Sequence, residues 1–328
     1  MKILHISDTH FTNSHTYGKI DPVTGINSRL QEQVAVFKKI VDESVEAGVT
    51  ILLHAGDVYD HPNPTDLERT VVEELWAYTN ARGLSGIVIA GNHDRSDEYT
   101  AISDKLEHKI QFVTSPCEIV IDGIKINAVP NLGRDENSMV EYIVAGTGDI
   151  LLTHCTFKSS RLSNGYSMPE GLDIPMQYKY IAAGHIHLGQ RLGKVGAYSG
   201  GLIRLNFGEQ KNPTGYMIID TDTWDSAFHK VNTTKFYVAE GEIDRSKIAG
   251  AIVRISTEDS LYDLRKELID LNPEYLSLKK IGGKSVVSDT RFENLKASNT
   301  IMENFKAYCD AMGIEEKIKN AGLELLEG

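Results

Sequence analysis

The sequence predicts an α/β fold in which helices cover a largely parallel sheet. Three observations carry that prediction. Short apolar runs of strand length alternate with stretches of helical periodicity, the pattern of a strand-helix-strand-helix-strand chain. Five of those runs end alike, each delivering Asp, Asn or His directly after its last small or apolar residues. Of 328 residues, 41% are hydrophobic and no long polar tract interrupts them, which suits one large domain and a smaller one.

The first run, residues 3–7, leads into Asp8-Thr9-His10. Asp8 and His10 are two apart, so both can point to one side of an extended chain. Residues 11–29 form a polar, turn-rich loop, with Asp21-Pro22 and Thr24-Gly25. It reads either as a substrate contact or as ordinary surface. Residues 30–47 carry Val34, Phe37, Val41 and Val45 at helical spacing, and Gly48 ends them. The next strand closes on Gly56, which permits a sharp turn, and Asp57 follows at once. Ligands gather at the carboxyl ends of strands in such sheets, and a carboxylate has two oxygens with which to hold one ion or bridge two. His61 lies four residues on and is a candidate substrate contact or an exposed loop histidine.

Asn63-Pro64 reads as a helix N-cap followed by a first-turn proline. Leu67, Val71, Leu75 and Tyr78 then mark a helix that Gly83 closes. The third strand, residues 86–90, leads into Gly91-Asn92-His93-Asp94. Residues 117–131 alternate around Asp122-Gly123, a hairpin signature. Residues 149–153 lead into His154, a polar loop spans 158–179, and residues 180–183 lead into Gly184-His185-Ile186-His187. Residues 198–220 read as a glycine turn, a strand, a second turn and another strand. After about residue 235, Ile252-Val253-Arg254-Ile255 reads as a strand. Leu261, Leu264, Leu268 and Leu271 mark a helix stopped by Pro273, and residues 275–281 alternate as a strand. Ile301, Phe305, Tyr308 and Met312 give the last segment an apolar helical stripe.

Net charge is −12, which argues against generic nucleic-acid binding and confines any such surface to a local patch. Residues 1–228 hold 29 acidic against 19 basic side chains, and residues 229–328 hold 17 against 15. Lys279, Lys280, Lys284, Arg291 and Lys296 form a basic island in the second part, opposed there by Asp289 and Glu293. It is either a phosphate-binding patch or a solvated surface. Gly282-Gly283-Lys284-Ser285 is not a phosphate loop, because Leu278 stands where that motif needs glycine. No apolar run approaches the ~20 residues of a membrane span. The N-terminus runs straight into a strand, so no signal peptide is expected. Cys117, Cys155 and Cys309 are widely spaced and odd in number, which predicts free thiols and a reducing, cytoplasmic setting. Cys155 adjoins His154 and reads as a buried, inert thiol rather than a ligand.

Asp-x-His at 8–10, Gly-Asp at 56–57, Gly-Asn-His-Asp at 91–94, Thr-His at 153–154 and Gly-His-x-His at 184–187 together resemble the calcineurin-like metallophosphoesterases. The resemblance spans about residues 1–220. Ser199-Gly200, Arg204, Phe207-Gly208-Glu209 and Gly215-Tyr216 narrow it to SbcD-type DNA double-strand-break repair nuclease subunits. That family implies a four-layer sandwich, two sheets flanked by helices, with a small α+β C-terminal capping domain and terminal helices. The implied boundaries are a nuclease domain over 1–230, a capping domain over 231–290 that contacts DNA, and a helical segment over 291–328 that docks a partner.

The resemblance also implies a site. Asp8, His10 and His187 would hold one metal, and Asn92, His154 and His185 another, with Asp57 bridging. Oxygen plus imidazole ligands suit two manganese ions and tolerate magnesium, iron or zinc. Two dications against Asp8 and Asp57 leave a charge matching one phosphodiester and one hydroxide. Metals ~4 Å apart can acidify a shared water and stabilise entering and leaving oxygens. His93 is then the candidate general acid, and Asp94 either orients a histidine ring or caps a helix. Activity is expected to fall below about pH 6.5, where free histidines protonate. The implied function is a manganese-dependent DNA exonuclease and endonuclease in repair or recombination, working with an SbcC-type SMC-like ATPase, as a monomer or a homodimer. The alternative is a phosphatase or cyclic-nucleotide phosphodiesterase on the same fold, and a non-enzymatic reading is a metal-stabilised scaffold subunit.

Overall fold

The computed structural model describes residues 1–281 apart from 97–99, 103–104, 108 and 134–135, together with 302, 303, 305, 306, 309, 319, 320 and 323. The chain begins β1 (Lys2–Ile6), α1 (Ser28–Glu46), β2 (Val49–His54), α2 (Asp66–Ala81), β3 (Ser85–Ile89). Next come β4 (Lys105–Glu107), β5 (Ile110–Val113), β6 (Cys117–Ile121), β7 (Ile124–Val129) and α3 (Val140–Ala145). Then follow β8 (Ile150–His154), β9 (Tyr180–Gly184), β10 (Gln190–Leu192), β11 (Gly196–Tyr198), β12 (Gly215–Asp220) and β13 (Ser226–Lys230).

These strands make two sheets, ordered β13-β12-β1-β2-β3-β5-β4 and β10-β11-β9-β8-β7-β6. The centre of each is parallel, as β1-β2-β3-β5 and β7-β8-β9-β11, and antiparallel strands finish the edges. Parallel central strands bury both faces, which is why their sequences are almost unbroken apolar runs. Strand alternation sorts them. Ile3, Ile51, Leu53, Ile87 and Ile89 meet Ile126, Ala128, Ile150, Leu152 and Ala182 between the sheets. Leu4, Ile6, Leu52 and Val88 face the other way, onto Phe37, Ile40 and Val41 of α1 and Val72, Leu75 and Trp76 of α2. Ile143 of α3 and the 158–179 loop cover the outside of the second sheet. The result is the four-layer sandwich that the resemblance implies, and each fully buried Leu, Ile or Phe in it contributes about 1.5–3 kcal/mol.

Local details follow the sequence with two corrections. The strand expected after the Gly200-Gly201 turn does not form: residues 201–206 are irregular and lead into a short 3₁₀ turn at Phe207–Glu209, so β12 is the one strand of the two read after that turn. Gly48 and Gly83, at φ of 83° and 93°, end α1 and α2. Asp122 and Gly123 both have positive φ, the geometry of a two-residue hairpin turn, and β6 and β7 pair antiparallel around them. Asn63-Pro64, however, does not cap α2. Thr65 does, with a capping box in which Glu68 returns a bond to the Thr65 backbone. The box won because a reciprocal pair satisfies two orphan amides where Asn63 would satisfy one.

The chain continues as β14 (Phe236–Glu240), β15 (Ile252–Thr257), α4 (Leu261–Ile269) and β16 (Tyr275–Lys280). The three strands form a separate parallel sheet, β14-β15-β16. One face packs Val253, Ile255, Leu276 and Leu278 against Leu264 and Leu268 of α4. The other face brings Phe236, Ile252 and Tyr275 onto Phe207 and Tyr17 of the larger unit. Four rings meet edge-on there, with Tyr17 5.1–5.5 Å from Phe207, Phe236 and Tyr275. Residues 11–29 thus supply part of this docking contact through Tyr17. Lys279 shares the parity of Tyr275 and Lys280 that of Leu276, so alternation turns the two exposed lysines to opposite faces. Lys284, Arg291 and Lys296 lie outside the described residues, as do Ile301, Tyr308 and Met312. No helix among the described residues is long and apolar enough to cross a membrane.

Candidate metal centre

The carboxyl ends of β1, β2 and β3 in one sheet and of β8 and β9 in the other converge at one end of the sandwich. Each delivers side chains at or just past its last residue: Asp8 and His10, Asp57, Asn92, His154, and His185 with His187. Three of these turns run through left-handed backbone, with φ of 51° at Asp8, 45° at His10, 55° at Asp57 and 94° at His185. Such conformations cost roughly 1–3 kcal/mol each and persist where the surroundings over-determine them. The surroundings do so here. Gln33 of α1, fully buried, donates to the Thr9 and His10 carbonyls at 2.8 Å each. Glu68 of α2 accepts from Thr12 Oγ1 at 2.9 Å and from the Asn13 amide at 2.6 Å. The segment from Thr9 to Asn13 is therefore fastened by both helices.

The seven side chains assigned to metal come together. His10 Nε2 lies 3.0 Å from His187 Nε2 and 3.5 Å from Asp57 Oδ2, while His187 Nε2 is 3.9 Å from Asp8 Oδ1. Asn92 Oδ1 is 2.9 Å from both His154 Nε2 and His185 Nδ1, and His154 Nε2 is 3.3 Å from Asp57 Oδ2. Asp57 thus faces a group on each side. Ligand atoms of Asp8, His10 and His187 lie within 4.8 Å of one another, as do those of Asp8, Asp57 and His154.

The donor set fits dications for a reason visible in the hydrogen bonds. The far nitrogens of His154 and His187 each have an acceptor, and those of His10 and His185 face a carboxylate. His154 Nδ1 donates to Ala55 O at 2.7 Å and His187 Nδ1 to Glu209 Oε1 at 2.9 Å. His10 Nδ1 sits 3.3 Å from Asp60 Oδ1, and His185 Nε2 3.8 Å from Glu136 Oε1. With the proton on the far side, the near nitrogens of His154 and His187 present lone pairs. Lone pairs of imidazole, carboxylate and amide oxygen about 3 Å apart repel unless a cation or a proton sits between them. Burial works against charge on His154, yet Asp57 pushes it up to about 9. His187 rises likewise to about 9 beside Glu209 and Asp8, again against its burial. Burial opposes charge on Asp57 too, but the His154 and His10 imidazoles hold it well below the usual carboxylate range. His185 drops to about 4 through burial and the neighbouring His154.

His93 stands at the rim and is exposed. Its amide donates to Asp57 Oδ1 at 2.8 Å, its ring lies edge-on 4.7 Å from His10, and Nδ1 donates to Asp60 O at 2.7 Å. Nε2 is then the atom left to carry or release a proton. Ligand atoms of His10, Asp60 and His93 also lie within 4.8 Å of one another.

Asp94 has a different task from the two expected of it. Among the described residues it neither orients a histidine nor caps a helix. Its fully buried carboxylate accepts from the amides of Gly91 at 2.8 Å, Tyr59 at 2.9 Å and Val58 at 3.2 Å. It ties the loop bearing Asp57 to the loop bearing Asn92. His61 lies toward α2, 3.9 Å from Glu68. Cys155 is fully buried in the core outside the second sheet, and burial pushes its thiol up, so it presents no thiolate to the site. Glu209, Glu136 and Asp60 went unassigned in the sequence. For Asp60, three residues past Asp57, position was a usable signal; the other two approach only through the fold.

A family model described as calcineurin-like phosphoesterase matches residues 1–189. The DNA double-strand break repair protein Mre11 of Sulfurisphaera tokodaii is 27% identical over 335 residues, covering 94% of this chain and 80% of that protein. Exonuclease subunit 1 of Enterobacteria phage T4 is 24% identical over 331 residues, covering 93% of this chain and 92% of its own length. Mre11 of Thermoplasma acidophilum is 22% identical and covers 96% of the chain.

Proposed function

Because the chain belongs to the calcineurin-like phosphoesterase family, we propose that it is a metal-dependent DNA exonuclease and endonuclease that acts in break repair or recombination. The observation that carries the reading is the joint one. The site presents two groups of nitrogen and oxygen donors sharing Asp57, and the matches to break-repair and exonuclease proteins extend over nine-tenths of the chain. Asp8, His10 and His187 would seat one dication, Asn92, His154 and His185 the other, and Asp57 both. Imidazole and oxygen donors without thiolate favour manganese, with magnesium, iron and zinc tolerated. When bound, such a pair supplies charge stabilisation and an acidified water for in-line attack on a phosphodiester.

The chain's own residues do the rest. Asp57 anchors the His93 amide, and Asp60 fixes the proton of its ring on Nδ1. His93 then delivers a second proton, held on Nε2, to the departing sugar oxygen. The buried carboxylate of Asp94 keeps the two ligand loops in register before substrate arrives. A partner of the SbcC-type ATPase class is proposed as well, supported by the fact that the phage relative is a subunit.

The test is cleavage of linear duplex DNA by purified protein with manganese, beside a small aryl phosphodiester. DNA cleavage that stops with chelator and returns with manganese supports the reading. Turnover of the aryl ester alone favours a phosphatase or cyclic-nucleotide phosphodiesterase. No turnover of either leaves a scaffold subunit.

A further inference from the structure

We propose, resting on the two-metal reading above, that Glu209 positions His187 for metal binding and that the Phe207–Glu209 turn is what holds Glu209 in place. The support of His187 from outside the ligand set rests on one residue. His187 lies beyond the end of β9, its side chain is 23% exposed, and it borders a cleft of about 300 Å³ lined by Leu162, Asn164, Leu188 and Asn206. Among the described residues outside the ligand set, only Glu209 is bonded to its ring. His154, by contrast, is fully buried within β8 and gives its far proton to a main-chain carbonyl.

Glu209 is built for the task. It is 6% exposed, and both carboxylate oxygens are occupied. Oε1 accepts from His187 Nδ1 at 2.9 Å and from Asn206 Nδ2 at 3.0 Å, and Oε2 accepts from the Leu205 amide at 2.8 Å. The carboxylate therefore cannot rotate without breaking two other bonds. It fixes the ring's tautomer, aims Nε2 at His10 and Asp8, and makes the imidazole a stronger donor than a carbonyl partner would. Two residues earlier, Phe207 is clamped by Phe236 at 5.0 Å and Tyr17 at 5.2 Å, with the Arg254 guanidinium 3.8 Å over its ring. The turn that carries Glu209 is thus seated by the docked β14-β15-β16 sheet.

Manganese binding to the full-length, metal-stripped protein tests this by calorimetry, with anomalous diffraction from crystals at graded manganese assigning each ion to its site. Wild type should bind two ions. Glu209→Ala should weaken the Asp8/His10/His187 site by about 10–100-fold and leave the Asn92/His154/His185 site nearly unchanged. Glu209→Gln keeps an acceptor oxygen and should recover part of the loss. Phe207→Ala should weaken the same site to a smaller degree. Wild-type affinities at both sites in Glu209→Ala, or equal weakening of both, would overturn the proposal. A wild-type protein that takes up no pair of ions refutes the two-metal reading itself, which is a separate result.

Discussion

Replacing Asp94 by alanine asks how much the site depends on a residue that touches no substrate. The change strips the acceptor from three buried amides, those of Gly91, Tyr59 and Val58. Each orphaned donor costs about 1–3 kcal/mol, so the gross loss is roughly 3–9 kcal/mol. One cost is relieved. Burial and the charge of Asp57 push the Asp94 carboxyl up to about 6. Keeping it ionised at neutral pH therefore costs about 3 kcal/mol, which the alanine variant escapes. A net destabilisation of about 3 kcal/mol is the central expectation, and manganese affinity should fall as the loops of Asp57 and Asn92 separate. Because the folded carboxyl titrates above its unfolded value, its contribution is largest below about pH 4 and declines as pH rises through 6. Thermal melts of metal-free wild type and variant should therefore differ more at pH 5 than at pH 7.5. Equal melting temperatures with unchanged manganese affinity would refute the assignment of Asp94 as the tie between the loops.

Other perturbations separate the remaining roles. His93→Ala should retain both ions and lose hydrolysis by about 10²–10⁴-fold; metal content falling together with activity would instead make His93 a ligand, in the group it forms with His10 and Asp60. Gly91→Ala would put a Cβ 2.1 Å from Asp57 Oδ1 and 2.3 Å from its amide, so metal uptake should be abolished; uptake at wild-type affinity would contradict that packing. In the metal-free protein, protons on His154 and His187 stabilise the fold below about pH 6.5, and that stability is lost as pH rises through about 9. Loading at pH 7.5 should thus release about two protons, and affinity should climb until about pH 9, a higher window than free histidines suggest. Calorimetry in buffers of different ionisation enthalpy reads the proton count, and a count of zero contradicts the protonated imidazoles.

Asp8, Asp57, Asn92, His154 and His185 were legible in the sequence because each stands at the end of an apolar run, and in a parallel sheet the end of a run is a place in space; His10 and His187 lie two residues further on, and the family resemblance completed the set. The parallel centre of the first sheet was legible for the same reason. What lay hidden depends on contacts between distant segments. Glu209 reaches His187 across 22 residues, and Ala55 reaches His154 across 99 through a main-chain carbonyl that no side-chain pattern encodes. The strand β14 is short and ends in an exposed Glu240, so its alternation is weak. Asp94 looked like a partner for histidine because it adjoins one, but buried amides nearer in space claim its carboxylate. The docking of the small sheet through Tyr17 and Phe207 joins residues that look unremarkable where they stand in the chain.

A crystal grown with manganese and measured at its absorption edge tests the central claim most directly. Two anomalous peaks are predicted, one bounded by Asp8, His10 and His187, the other by Asn92, His154 and His185, with an Asp57 oxygen against each. A single peak among His10, Asp60 and His93, or two peaks with Asp57 touching neither, would contradict the account.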